Sequence, residues 1–270
     1  MASNFYLYVG SDILIHALSE RYLRPEDQMT THLLEMLGQA GTTLVLAEPV
    51  LDEVHRNLEI ADWEFGNYFA DLMPYMTRDI ARHASKILIR AFLYARPNPV
   101  VPGMRPSGWR NYVEQFCSYE DLHRASGRDE LRRYLINKFS MRFESRTELE
   151  DLVDLVPVEE LAARMAPDKK KAVLAENDAL MVYATYGRRK ILREDAGSSS
   201  YGYRTWWLTH ESRIRQYTGE IVKKTGAKYI MRPEFLLNFI AFSPSAVEVR
   251  RAYENIFPTL LGVRTGCQTF

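Results

Sequence analysis

Apolar positions along this chain come in two kinds, short unbroken runs and longer stretches spaced at helical period. Phe5 to Val9 is a run of aromatic and β-branched residues of strand length, and Ile13, Leu14, Ala17 and Leu18 then mark one face of a helix. This predicts a buried strand that runs straight into a helix starting near Ser11 or Asp12. Met29 to Gln39 predicts a second helix, ended by the Gly38 and Gly41 signals, and Thr42 to Ala47 a second strand. Pro49 suits a first helical turn, and Val50, Leu51, Val54 and Leu58 give the stretch EPVLDEVHRNL an apolar stripe.

From Asp62 to about Pro157 the pattern is long helices with aromatic and Arg/Glu faces, broken by the proline-rich stretch Arg96 to Gly108. Strand and helix signals then alternate again. A helix is expected over Asn177 to Arg188, a loop around Gly197 to Ser200, a strand at Thr205 to Leu208 and a helix over Glu211 to Lys224. A short strand at Lys228 to Met231 precedes helices at Pro233 to Phe242 and Ser245 to Ile256. Short strands alternating with helices imply an α/β fold around a mainly parallel sheet. The expected organisation is an α/β core formed by residues 1–61 and 158–243, a helical insertion over 62–157, and a C-terminal helix and tail over 244–270.

Composition narrows the picture. With 46% apolar residues in 270, the chain can bury a substantial core as one elaborated domain. Lys plus Arg equals Asp plus Glu at 35 each, so binding to nucleic acid would have to rely on local patches. Cys117 and Cys267 are far apart and lack metal-ligand spacing, which points to a reducing, cytoplasmic setting without a disulfide framework. No basic region precedes the first apolar stretch, and no segment approaches the roughly 20 apolar residues of a membrane span, so neither export nor membrane anchoring is expected. The six histidines show no paired spacing typical of a zinc helix, and no motif supports a Ser-His-Asp triad.

The acidic residues suggest chemistry. Asp12 follows the first strand. Glu53 lies between Val50 and Val54 on the apolar side of its helix, where an acid needs a partner. Asp178, in AENDALMVYAT, opens a mostly apolar helix, and Glu211 follows the strand TWWL and Thr209. Convergent carboxylates repel one another unless a hard divalent cation gathers them. Each also has a simpler explanation: Asp12 and Asp178 as helix N-caps, Glu211 as a complement to a helix dipole, Glu53 as the partner of a buried arginine.

In order, these segments resemble a PIN-domain nuclease. YLYVGSDILIHAL is similar to the family's opening segment, EPVLDEVHRNL to its Glu helix, ENDALMVYAT to the helix with its third acid, WWLTHESRI to its Thr-x-Asp segment, and AKYIMRPEFLLNFI to its final strand and helix. The resemblance covers about residues 4–61 and 170–242. It implies a three-layer α/β/α sandwich and an Mg²⁺- or Mn²⁺-dependent endoribonuclease, with Glu53, Asp178 and Glu211 as metal ligands and Thr209 holding a ligand or phosphate. At the family's first Asp stands Gly10, with Asp12 as its surviving neighbour. Under the resemblance this copy is a naturally impaired nuclease, or Asp12 has taken over the metal, or an active parent had an aspartate at position 10. The simpler alternative is that glycine provides a tight strand-to-helix turn.

The resemblance also implies the settings in which such enzymes act: toxin of a toxin-antitoxin pair, RNA processing, or defence against phage. RNA is the expected partner, with single-stranded DNA as the second class. Lys169, Lys170, Arg188, Arg189 and Arg213 form basic clusters that flank the acids in sequence and would suit a phosphate backbone. The insertion and the C-terminal tail offer surfaces for a protein partner, and a homo-oligomer is compatible with the chain. The alternative function is a degenerate PIN fold that binds nucleic acid or a protein without cutting. The aromatic residues Trp109, Tyr112, Phe116, Tyr119 and Tyr134 are expected to pack the insertion's own helices.

Overall fold

The structure, a computed structural model, describes residues 5–95, 105–169, 171–195 and 202–236. In chain order its main elements are β1 (Tyr6–Val9), α1 (Ser11–Ser19), α2 (Met29–Gln39), β2 (Thr43–Ala47), α3 (Glu48–Glu64), α4 (Arg78–Arg82), α5 (Ile87–Ala95) and α6 (Trp109–Val113). There follow α7 (Ala125–Phe139), β3 (Arg142–Glu144), α8 (Arg146–Glu150), α9 (Leu155–Met165), α10 (Ala172–Ile191), β4 (Thr205–Leu208), α11 (Arg215–Thr225) and β5 (Ile230–Met231).

The five strands form one sheet in the order β3-β2-β1-β4-β5, and every pairing is parallel. Helices flank it, as in a three-layer α/β/α sandwich. The strands at its centre carry almost unbroken apolar side chains, as covered parallel strands must: Leu7, Tyr8, Val9, Leu44, Val45, Leu46, Trp206 and Leu208 are all essentially solvent-free. One group of helices, α1, α2, α3, α5 and α7, packs together and onto β2, while α9 and α10 pack as a pair with α10 against β4.

β3 is an element the sequence pattern does not announce. It lies inside the stretch 62–157 expected to be helical, and pairs with β2 from Val45↔Arg142 to Ala47↔Glu144. Its three residues, Arg-Phe-Glu, lack a strand's apolar signature because an edge strand gains its stability from a single ladder. The segment 62–157 therefore contributes to the sheet as well as to the helical layers. Its aromatic residues pack as expected: Trp109 stacks on Phe65 at 4.8 Å and on Tyr112 at 5.4 Å, and meets Phe92 edge-on.

Beneath α10, the fully buried Glu144 accepts hydrogen bonds from the hydroxyls of Tyr6 and Tyr8 and pairs with Arg188 at 2.7 Å. The expected loop around 197–200, the C-terminal helix and tail at 244–270, and most of the helix from Pro233 lie outside the described residues. Among the described residues no helix is long and apolar enough to cross a membrane.

Candidate functional site

β1 and β4 are neighbours in the sheet although they are the first and fourth strands of the chain, so strand order reverses between them. In open α/β sheets the crevice at such a reversal, beyond the carboxyl ends of the strands, is where ligands collect. Here β1 ends at Gly10 and β4 at Thr209. The Gly10 N–H extends the ladder to Leu208 O at 2.8 Å.

Gly10 adopts φ −72° and ψ 156°, an extended conformation open to any residue, so the turn does not require glycine's conformational freedom. Space is the reason instead. A Cβ at this position would lie 2.5 Å from Asp12 Oδ1 and 3.0 Å from both Leu208 O and Thr209 Cβ. The Asp12 carboxylate has folded into the volume a side chain at position 10 would fill. Two donors hold it there, the Thr209 hydroxyl at 2.9 Å and the His210 N–H at 2.7 Å. Asp12 is thus not an N-cap of its own helix; it ties the end of β1 to the end of β4.

Thr209, almost fully buried, also accepts the Glu211 N–H at 3.0 Å. Its hydroxyl joins the first and fourth acids, so it orders the site from beneath and does not present itself at the surface. Glu211 precedes α11 by four residues and accepts from the Arg213 N–H at 2.7 Å, so the helix-dipole explanation fails on position. Asp178 lies in the second turn of α10, which begins five residues earlier than the pattern suggested, and is therefore no N-cap either. Glu53 stands among Ser11, Asp178, Lys169 and Asp12, so the simpler explanation of a buried arginine partner does not apply.

All four acids line one open cleft of about 350 Å³, together with Ser11, Lys169, Trp207, Thr209 and Arg213. Their proximity leaves an electrostatic signature. Burial, reinforced by the Asp178 and Asp12 charges, holds the Glu53 carboxyl above the usual range, although Ser11 and Lys169 oppose the shift. Burial does the same to Asp178, with Glu211 and Asp12 adding to it and Lys169 working against it. Burial alone would push Lys169 down, but contact with Asp178, Glu211 and Glu53 outweighs it and the ammonium titrates above its ordinary value.

The donor set suits a hard divalent cation: carboxylate oxygens from three separate stretches of chain around an open space. One atom in particular shows that a cation is wanted here: the buried Asp178 Oδ2 has the Lys169 ammonium 2.5 Å away as its close partner. Glu53, Asp178 and Glu211 are the residues that would hold the ion. They are not drawn together as they stand: among the described residues no three His, Cys, Asp or Glu side chains form a ready ligand cluster. Asp12 is turned toward β4, and Lys169 lies between Asp178 and Glu211, 4.0 Å from the latter's Oε2.

Compared with protein-family models, with curated proteins and with solved structures, the chain matches none.

The expected basic rim survives only in part. Arg213 is exposed at the cleft. Lys170 lies outside the described residues. Arg188 and Arg189 are corrected: Arg189 is buried, and Arg188 is half-buried and committed to a carboxylate inside the fold. Arg188 serves Glu144, and also donates to the Tyr8 hydroxyl at 3.2 Å. Arg189 is 4% exposed, donates to the Thr205 and Lys228 carbonyls at 2.7–2.9 Å, and stacks on Tyr203 and Trp206. Both sit in the last turns of α10, Arg189 at the amino end of β4 and Arg188 on Glu144 of β3, and neither lines the cleft. A guanidinium tolerates such burial when its fork meets carbonyls or a carboxylate, which charge runs in a sequence do not disclose.

Ser11 and Trp207 line the cleft without carrying a motif of their own, and the buried Trp207 Nε1 has no hydrogen-bond partner. Lys169 was legible only as part of a basic run, not as an ammonium among acids.

Proposed function

We propose that this protein is a metal-dependent phosphodiesterase, an endoribonuclease of the PIN type. The observation that carries this reading is the convergence of Asp12, Glu53, Asp178 and Glu211 on one cleft at the reversal of strand order. Four acids separated by up to about two hundred residues line one partly buried space whose charge a cation offsets, the Lys169 ammonium in this structure and a divalent ion in the proposed reaction. Their order along the chain is the order the sequence resemblance implies.

The chain's own residues divide the work. Glu53, Asp178 and Glu211 supply oxygen ligands. Asp12, through Thr209 and His210, fixes the loop that carries Glu211. Arg213 at the mouth suits a backbone phosphate, which positions a strand without reading its sequence. A Mg²⁺ or Mn²⁺ ion bound among the carboxylates supplies water activation and charge neutralisation for in-line displacement at phosphorus.

The test is cleavage of a panel of RNA and single-stranded DNA in Mn²⁺, with EDTA and Asp178→Asn as controls. RNA cleavage that both controls abolish is the expected result. A protein that cuts nothing and gains no thermal stability from Mn²⁺ would sink the assignment. A second reading, a non-cutting scaffold, is favoured by one feature: Gly10 stands where the resemblance expects an acid, and Asp12 is occupied in tying strands together. Binding of RNA without cleavage would favour it.

A further inference from the structure

We infer that Lys169 is a resident counter-cation of this cleft: its ammonium holds the place between Asp178 and Glu211 that a divalent cation takes, and must leave when the cation binds. The inference rests on the metal-dependent reading above and adds a regulatory element to it.

Lys169 Nζ is 2.5 Å from Asp178 Oδ2 and 4.0 Å from Glu211 Oε2. Those two acids are expected ligands, so an ammonium there and a metal ion cannot share them. Other features show the position to be built. Lys169 closes a short 3₁₀ turn, Ala166–Asp168, in the connection from α9 to α10. On one side of it Met165 is fully buried. Next to it, Asp168 accepts hydrogen bonds from the Tyr217 hydroxyl and from Gln216 Nε2 of α11. The turn before Lys169 is therefore anchored to α11, and the ammonium reaches the acids on a four-carbon stem with rotatable bonds.

The physical consequence follows from Coulomb's law. Without metal, the ammonium lowers the repulsion among four acids. A divalent ion must displace it, and the ion pair it gives up subtracts from the affinity gained. The cleft thereby discriminates against weak or dilute cations and stays ordered when empty.

Calorimetric titration of Mn²⁺ into metal-free full-length protein tests this, with Lys169→Gln, Lys169→Arg and Asp178→Asn in parallel. Lys169→Gln is expected to bind Mn²⁺ about tenfold more tightly than wild type, Lys169→Arg to stay close to wild type, and Asp178→Asn to lose binding. A second measurement needs no variant: acetylation of the Lys169 amine, followed by mass spectrometry with exposed Lys171 as reference, should accelerate several-fold in saturating Mn²⁺. Wild-type binding that depends on Asp178, with no gain in Lys169→Gln and no change in Lys169 acetylation, would overturn the inference and leave the metal site standing. Absence of Mn²⁺ binding by every form would overturn the metal site and the inference with it.

Discussion

At the scale of single residues, the end of β1 shows how one missing atom organises a site. Gly10 leaves open the space that Asp12 Oδ1 occupies, and Asp12 uses that position to hold Thr209 and His210. A side chain at position 10 must therefore push the carboxylate away before it disturbs the Leu208 backbone. Gly10→Ala is expected to lower stability by about 1–2 kcal/mol. Combining it with Asp12→Ala should cost clearly less than the sum, by at least about 0.5 kcal/mol, because the second change removes what the first collides with. Urea denaturation of the four forms measures this coupling, and strict additivity would refute the account. The same geometry bears on the idea of an active parent with aspartate at position 10. Such a side chain would compete with Asp12 for one volume, so restoring it calls for Asp12 to move.

At the scale of elements, α10 does most of the joining. Its second turn brings Asp178 to the cleft, the helix packs on β4, and its last turns bury Arg189 and set the half-buried Arg188 on Glu144. Its close approach to the α8–α9 connection depends on Gly187, where a Cβ would come 2.2 Å from Leu152 O. Helix propensity alone favours alanine over glycine by about 1 kcal/mol. Contact decides the opposite way, because the obstacle is backbone: Gly187→Ala is expected to destabilise by about 3 kcal/mol, read as a lower urea midpoint. A raised midpoint would show that the two segments part easily. Element boundaries were partly readable from the pattern. α2 falls on the residues expected, because Gly41, with φ 82°, turns the chain just past its end. α10 and α11 start away from their expected positions, because Asp178 and Glu211 suggested helix starts that tertiary contacts use otherwise. β3 was invisible because three residues carry no periodicity.

For the whole molecule, gathering acids has a measurable consequence. Glu53 and Asp178 titrate above their unfolded values, mainly through burial, so the folded protein holds protons that the unfolded chain has already released. Stability of the metal-free protein from these groups is therefore highest below the unfolded carboxyl pKa. It falls as pH rises through the window up to the raised folded values, and is flat above it. Glu48 contributes the opposite slope, since the Arg146 N–H and the Arg128 guanidinium hold it low. The clean observable is thus a difference. Above the ordinary carboxyl pKa of about 4, metal-free Glu53→Gln should gain stability relative to wild type as pH rises, and level off once the wild-type Glu53 carboxyl is fully ionised. Saturating Mn²⁺ should reverse the order by stabilising wild type alone. A difference that stays flat across this range would mean that Glu53 is not held among the other acids.

The sequence by itself determined the α/β class, the parallel character of the sheet, the positions of most strands and helices, and the identity of the four acids. These follow from local periodicity, turn residues and the rarity of acids on apolar faces, all of which act over a few residues. Tertiary structure alone decided which groups meet. Strand order put the ends of β1 and β4 side by side, the packing of α10 buried Arg189 and set Arg188 on Glu144, and the α9–α10 connection delivered Lys169 to the carboxylates. Such meetings depend on contacts between residues as far apart as Asp12 and His210, and no local pattern encodes a distance between segments.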